Sequence, residues 1–159
     1  MIASQLAKLI GETRYETFPP QAIEMAKLGV LDTVGVTIAG CDSDAVNITE
    51  KAIDATKAVG VALVFGRGYS STPENAALLN GTASHALDFD DCNNTMGGHP
   101  SVPILPGLWA LAEALEANGK DFLTSYAIGI EVETAIGAAV NFHHYEKGWH
   151  PTSTLGTFG

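Results

Sequence analysis

Basic residues are scarce: eight Lys and Arg stand against eighteen Asp and Glu in 159 residues, a formal net charge of −10. Such a surface repels phosphate backbones and anionic headgroups alike, so neither nucleic acid nor a membrane is an expected partner. Charge of either sign is sparse too, at 16% of residues against 46% hydrophobic. Soluble domains average about 25% charged, so this surface is expected to be shared with another body. Cysteine is nearly absent. Cys41 and Cys92 lie far apart without C-x-x-C spacing, which speaks against a disulfide framework or a zinc ribbon and leaves reduced, cytoplasmic use as the expectation. The longest uncharged, mainly apolar run, residues 102–112, holds two prolines and falls far short of the ~18 residues of a spanning helix. No basic stretch with an apolar core opens the chain, and a soluble protein is expected. G-x-S-x-G, Walker A, G-x-G-x-x-G and H-E-x-x-H are all missing, so hydrolase triads, P-loops, dinucleotide folds and zincins find no support.

What is present is helical in period. The length fits one domain, residues 1–159, able to bury a core without staples. Leu6, Leu9 and Ile10 follow Ile2 at helical spacing and predict a first helix ending near Gly11 or Thr13. Pro19-Pro20 opens a second, apolar to Ile38 and stopped at Gly40, with Val30, Val34, Val36 and Ile38 keeping a strand as an alternative. Asp32, its lone charge over residues 28–39, reads as a buried, hydrogen-bonded acid. Ser43-Asp44 predicts a third helix running to about Val59, and residues 61–65, between Gly60 and Gly66, predict a strand. Ser71-Thr72-Pro73-Glu74 predicts a helix through Ala83. A loop over residues 92–100, a helix over 102–116 stopped by Asn118-Gly119, and a last helix over 121–141 complete the pass. The fold expected is predominantly all-α, with at most one short strand near 61–65. The last twelve residues carry no charge beyond His150, where chain ends are usually polar, so the domain is expected to be truncated at its C-terminal side.

The dense polar features are Ser84-His85-Ala86-Leu87-Asp88-Phe89-Asp90-Asp91-Cys92, then Gly97-Gly98-His99-Pro100, then the histidine-rich residues 143–152. Three carboxylates within four residues repel one another, and that cost is commonly met by hydrogen bonds, a metal or catalysis. With Leu87 and Phe89 pointing inward, Asp88, Asp90 and Asp91 would not all face one ligand. His150, fixed between Trp149 and Pro151, is an acid/base candidate. His85, His143 and His144 read as packed or surface residues. Asp88, Asp90, Asp91, His99 and His150 support either metal-free acid/base chemistry or a divalent ion held by carboxylate and imidazole. The D-x-D-D string also matches the protonation motif of class II terpene cyclases.

The ordered segments His85-Ala86-Leu87-Asp88-Phe89-Asp90-Asp91, Gly98-His99-Pro100-Ser101-Val102-Pro103 and Gly148-Trp149-His150-Pro151-Thr152-Ser153 resemble the MmgE/PrpD family. Leu31-Asp32-Thr33-Val34-Gly35 and Asn80-Gly81-Thr82-Ala83 resemble its early segments. That family includes 2-methylcitrate dehydratase, cis-aconitate decarboxylase and iminodisuccinate epimerase. The resemblance implies the helical N-terminal part of a homodimeric lyase or epimerase acting on small polycarboxylates, with no cofactor and no metal. It implies Asp88, His99 and His150 as catalytic residues and Asp91, Cys92 and Thr152 as substrate contacts, Cys92 standing where many members have threonine. Lysines and a tyrosine of that site come from later in such chains. Residues 68–119 hold six acids and no Lys or Arg, which accords with cations supplied from elsewhere. A non-catalytic helical dimerisation module and a divalent-metal enzyme remain the alternatives.

Overall fold

Side-chain acceptors and prolines set where four of the helices begin. The computed structural model describes residues 2–159, and along them α1 (Ile2–Glu12) is followed by α2 (Pro20–Gly40), entered through Pro19-Pro20, and by α3 (Asp44–Ala52). Ser43 caps α3 by accepting from the Val46 amide at 3.4 Å. A hairpin of β1 (Ala62–Val64) and β2 (Tyr69–Ser71) leads into α4 (Pro73–His85), whose cap Thr72 accepts from Asn75 N–H. Then come α5 (Ser101–Leu115), α6 (Gly119–Val140) and the short α7 (His143–Glu146) and α8 (Pro151–Thr154). The described residues are thus predominantly helical, with one small antiparallel sheet paired Ala62 to Ser71 and Val64 to Tyr69.

Several expectations change. The β-branched stretch of α2 is helical: Thr33 and Thr37, both buried, return their hydroxyls to the Gly29 and Thr33 carbonyls at 2.8 and 2.6 Å, so burying them leaves no donor unpaired. Its Asp32 is exposed rather than buried, because it lies on the open face that also carries Leu28 and Leu31. The third helix stops seven residues short of Val59, at Ala52. Asp54 there takes a left-handed backbone, φ 50°, which no continuing helix accommodates. The strand near 61–65 has a partner, Tyr69–Ser71, which carries too little apolar alternation to announce itself. Gly66 and Gly68, both at φ +73°, make the turn between them. Asn118 does not stop α5, which ends on left-handed Glu116; it caps α6, its Oδ1 accepting from the Lys120 and Asp121 amides at 3.0 Å.

Two cores lie on either side of the α4–α5 pair. One gathers Val46, Val64, Ala76, Leu79 and Ala110 under the hairpin, and the other packs Ala26, Ile104, Leu105 and Tyr126 between α2, α5 and α6. By length and composition alone α6 could cross a membrane, its mean hydropathy reaching 1.2. It carries Glu131 and Glu133 at mid-length, however, and Glu133 is buried against protein together with Tyr126, Gly129 and Val132, as in a helix packed on its neighbours.

Asn80 of α4 joins the hairpin to the helices. Its amide donates to the Leu63 carbonyl and its oxygen accepts from the Phe65 amide, both at 2.9 Å. Asn80→Ala is therefore expected to cost about 2–4 kcal/mol in urea unfolding, since it strands two backbone groups and opens a void. A loss below ~0.5 kcal/mol would show that water replaces the amide.

Candidate functional site

His85 is the last residue of α4, and the chain then reverses through Asp88, whose backbone is left-handed at φ 49°. Such a conformation is unusual for a residue with a Cβ and is common where a side chain must be aimed. The reversal turns the Asp90 carboxylate inward, where its side chain is fully buried. His85 Nδ1 lies 3.0 and 3.1 Å from its two oxygens, and His99 Nδ1 lies 3.2 Å from one of them. Asp88, mostly in solvent, approaches the opposite nitrogen of His99, Nε2, at 3.6 Å. Leu87 and Phe89 point outward rather than inward, being 50% and 79% exposed.

Asp91 leaves this group. Its carboxylate accepts from the Ser101 amide at 3.1 Å and the Ser101 hydroxyl at 2.5 Å, closing the first turn of α5, and the hydroxyl in turn meets Tyr126 OH. Burial raises the Asp91 carboxyl above its usual range, against the opposing effect of the Ser101 bonds. Burial also pushes the Tyr126 phenol to about 12. Residues 93–98 are an ordered turn: Asn93 N–H donates to the Gly98 carbonyl at 2.9 Å, and its side-chain amide donates to Thr134 of α6 at 3.0 Å.

The histidine-rich segment arrives through α8. Thr152 Oγ1 accepts from the His99 amide at 2.9 Å. A Cβ on Gly98 would come within 2.7 Å of that hydroxyl and 2.8 Å of the Thr152 amide, so the approach needs glycine. The His85 ring lies 4.9 Å from that of His99 and 6.5 Å from that of His150. His143 stays on the surface, whereas His144 is taken up by Thr154 Oγ1 at 2.6 Å and by stacking on Trp149.

Two cavities flank the cluster. One, of about 660 Å³, is lined by His85, His150 and Thr152 with Val102, Pro103 and Pro106. The other, of about 510 Å³, is lined by Asp32, Asp91, Cys92, Asn93 and Tyr126. The six residues singled out in the sequence are therefore divided. Asp88 and His99 pair, His150 and Thr152 share the first cavity, and Asp91 and Cys92 face the second. Cys92 Sγ lies 3.8 Å from His99 Nδ1. The sequence reading set His85 aside and did not single out Glu133, Tyr126 or Ser101.

His85, Asp88, Asp90 and His99 each bring one ligand atom within 4.8 Å of the others, a two-histidine, two-carboxylate set that suits a divalent transition ion. Without an ion, the same groups form an acid–imidazole system able to move protons. Arg67 offers no help with an anionic ligand: its guanidinium is held by Glu50 at 2.6 Å and Asp42 at 3.0 Å.

The described residues thus form a predominantly helical domain whose α4–α5 connection brings carboxylates to imidazoles. Residues 4–159 match the MmgE/PrpD N-terminal domain, and the chain belongs to that family. It is 33% identical over 145 residues to human cis-aconitate decarboxylase, covering 87% of this chain and 30% of that one. It is 26% identical over 164 residues both to the cis-aconitate decarboxylase-like protein oryM of Aspergillus oryzae and to the cis-aconitate decarboxylase of Aspergillus terreus, covering 98% of this chain. The chain spans about a third of the length of these curated relatives.

Proposed function

We propose that this chain forms the N-terminal part of a metal-independent lyase or epimerase that acts on a small polycarboxylate by acid/base catalysis, in the manner of a cis-aconitate decarboxylase or a 2-methylcitrate dehydratase. The observation that supports this reading is the approach of Asp88 to His99 at 3.6 Å, with the His85 ring 4.9 Å from that of His99 and 6.5 Å from that of His150. In a decarboxylation, the bond to the departing carboxylate breaks, its electron pair remains on the substrate carbon, and that carbon takes a proton from an imidazolium. In a dehydration, an imidazole removes the proton α to a carboxylate and a second acid protonates the leaving hydroxyl. His99 and His150 are the proton-transfer groups in this proposal, Asp88 polarises His99, and Thr152, which shares the first cavity with His150, contacts substrate, whereas Asp91 is held by Ser101 and faces the second cavity with Cys92. The substrate's negative charge is met by lysines placed later in chains of this family. A reduced, cytoplasmic homodimer accords with two free cysteines and with the exposed Met25, Leu28 and Leu31 of α2.

The test is turnover of cis-aconitate and 2-methylcitrate by the natively expressed protein, with and without EDTA. Turnover unchanged by the chelator is expected. The ligand spacing around His85, Asp88, Asp90 and His99 favours one rival, a divalent-metal enzyme. Loss of activity in EDTA, restored by Mg²⁺ or Mn²⁺, would establish that rival, and absence of turnover on any polycarboxylate would favour a dimerisation module.

A further inference from the structure

We infer that His85 is an additional proton-transfer group of this site and that Asp90 is the positioning residue that sets the tautomer of both His85 and His99. The inference rests on the acid/base reading above and deepens it. Asp90 is the buried centre of the arrangement: both imidazoles turn Nδ1 toward its carboxylate, at 3.0 Å for His85 and 3.2 Å for His99. His99 Nδ1 also lies 3.3 Å from the Asp90 backbone carbonyl. A carbonyl and an ionised carboxylate only accept, so the proton of each neutral ring sits on Nδ1 and the basic lone pair on Nε2.

The two rings then face different places. His99 Nε2 looks toward Asp88. His85 lines the 660 Å³ cavity together with His150, and among the described residues nothing bonds its Nε2. An imidazole oriented by a buried carboxylate, with its other nitrogen unpartnered beside a cavity, is arranged to take or give a proton there. His85 Nε2 accepts a proton as neutral imidazole, or delivers one from imidazolium to a substrate carbon and returns to the neutral form.

Two measurements test this. In ¹⁵N-resolved imidazole spectra of the unaltered protein, neutral His85 and His99 are expected as Nδ1–H tautomers. Asp90→Asn should convert at least one ring to Nε2–H, because the new amide can donate to Nδ1, a change that a merely structural role for Asp90 would not produce. In kinetics, His85→Gln should lower kcat by at least ~100-fold with KM nearly unchanged. Circular dichroism should stay unchanged, since the ring is 39% exposed. Asp90→Asn should lower kcat similarly, and Asp90→Glu should recover part of the loss. Nε2–H tautomers in the unaltered protein, or His85→Gln turning over within threefold of it, would overturn the inference. Absence of turnover in the unaltered protein would instead overturn the lyase reading, and the spectra would still decide whether Asp90 sets the tautomers.

Discussion

Between about pH 5 and pH 8 the unfolding free energy is expected to fall as pH rises, and Glu133→Gln to flatten that fall. Glu133 is fully buried in the middle of α6, and neither of its carboxylate oxygens has a hydrogen-bond partner among the described residues. Burial first, and the charge of Asp91 second, raise its carboxyl from the ordinary 4.5 to about 8. The folded protein therefore holds a proton through a window in which the unfolded chain has released it. Where the native state binds more protons, raising the pH favours unfolding, at about 1.4 kcal/mol per pH unit for one group. The loss begins near 4.5 and is complete once the folded-state carboxyl ionises near 8. Urea melts of both proteins at unit pH steps would measure it. Asp91, also raised, contributes in the same direction in both, so parallel pH profiles would show that Glu133 is not the group that holds the extra proton.

His150→Ala and Asp88→Asn are each expected to lower kcat/KM by at least ~100-fold, the usual scale for a group that moves or directs a proton. Neither should unfold the protein. His150 is exposed and the Asp88 side chain is 82% exposed, and surface substitutions of this kind usually stay within about 0.5 kcal/mol. Asparagine also tolerates the left-handed backbone that Asp88 adopts, so the exchange removes the charge and keeps the turn. Steady-state kinetics on a polycarboxylate, beside thermal melts, would separate the two effects. Unchanged turnover in either variant would remove that residue from the site.

Much of the helical fold was legible because its signals are local: Ser43 and Thr72 announce their helices with side chains that reach only three residues ahead. The features missed depend on distant partners. β2 is a strand because β1 lies beside it, and the far edge of β1 is secured by Asn80 of α4 and by Glu113 of α5, whose carboxylate takes the Leu63 amide at 2.7 Å. At the site, the residues inside recognisable motifs could be named. His85 could not be singled out on its own, since a histidine closing a helix is commonplace, and its tie to Asp90 depends on the backbone reversal at Asp88. Glu133 did leave a trace. Tyr126, Gly129, Glu133 and Gly137 recur at spacings of three, four and four on the buried side of α6, and that phase places an acid among buried neighbours.

The bond between Thr152 Oγ1 and the His99 amide joins positions 53 apart, and it bears on the order in which the molecule assembles. Contacts within α4 and its following turn need only short stretches of chain, whereas this one must close a long loop and bear its entropy first. The docked α8 also sets the His150 ring 6.5 Å from that of His85. A chain in which that loop has not yet closed would carry the α4–α5 pair without His150 beside His85, its shape ahead of its site.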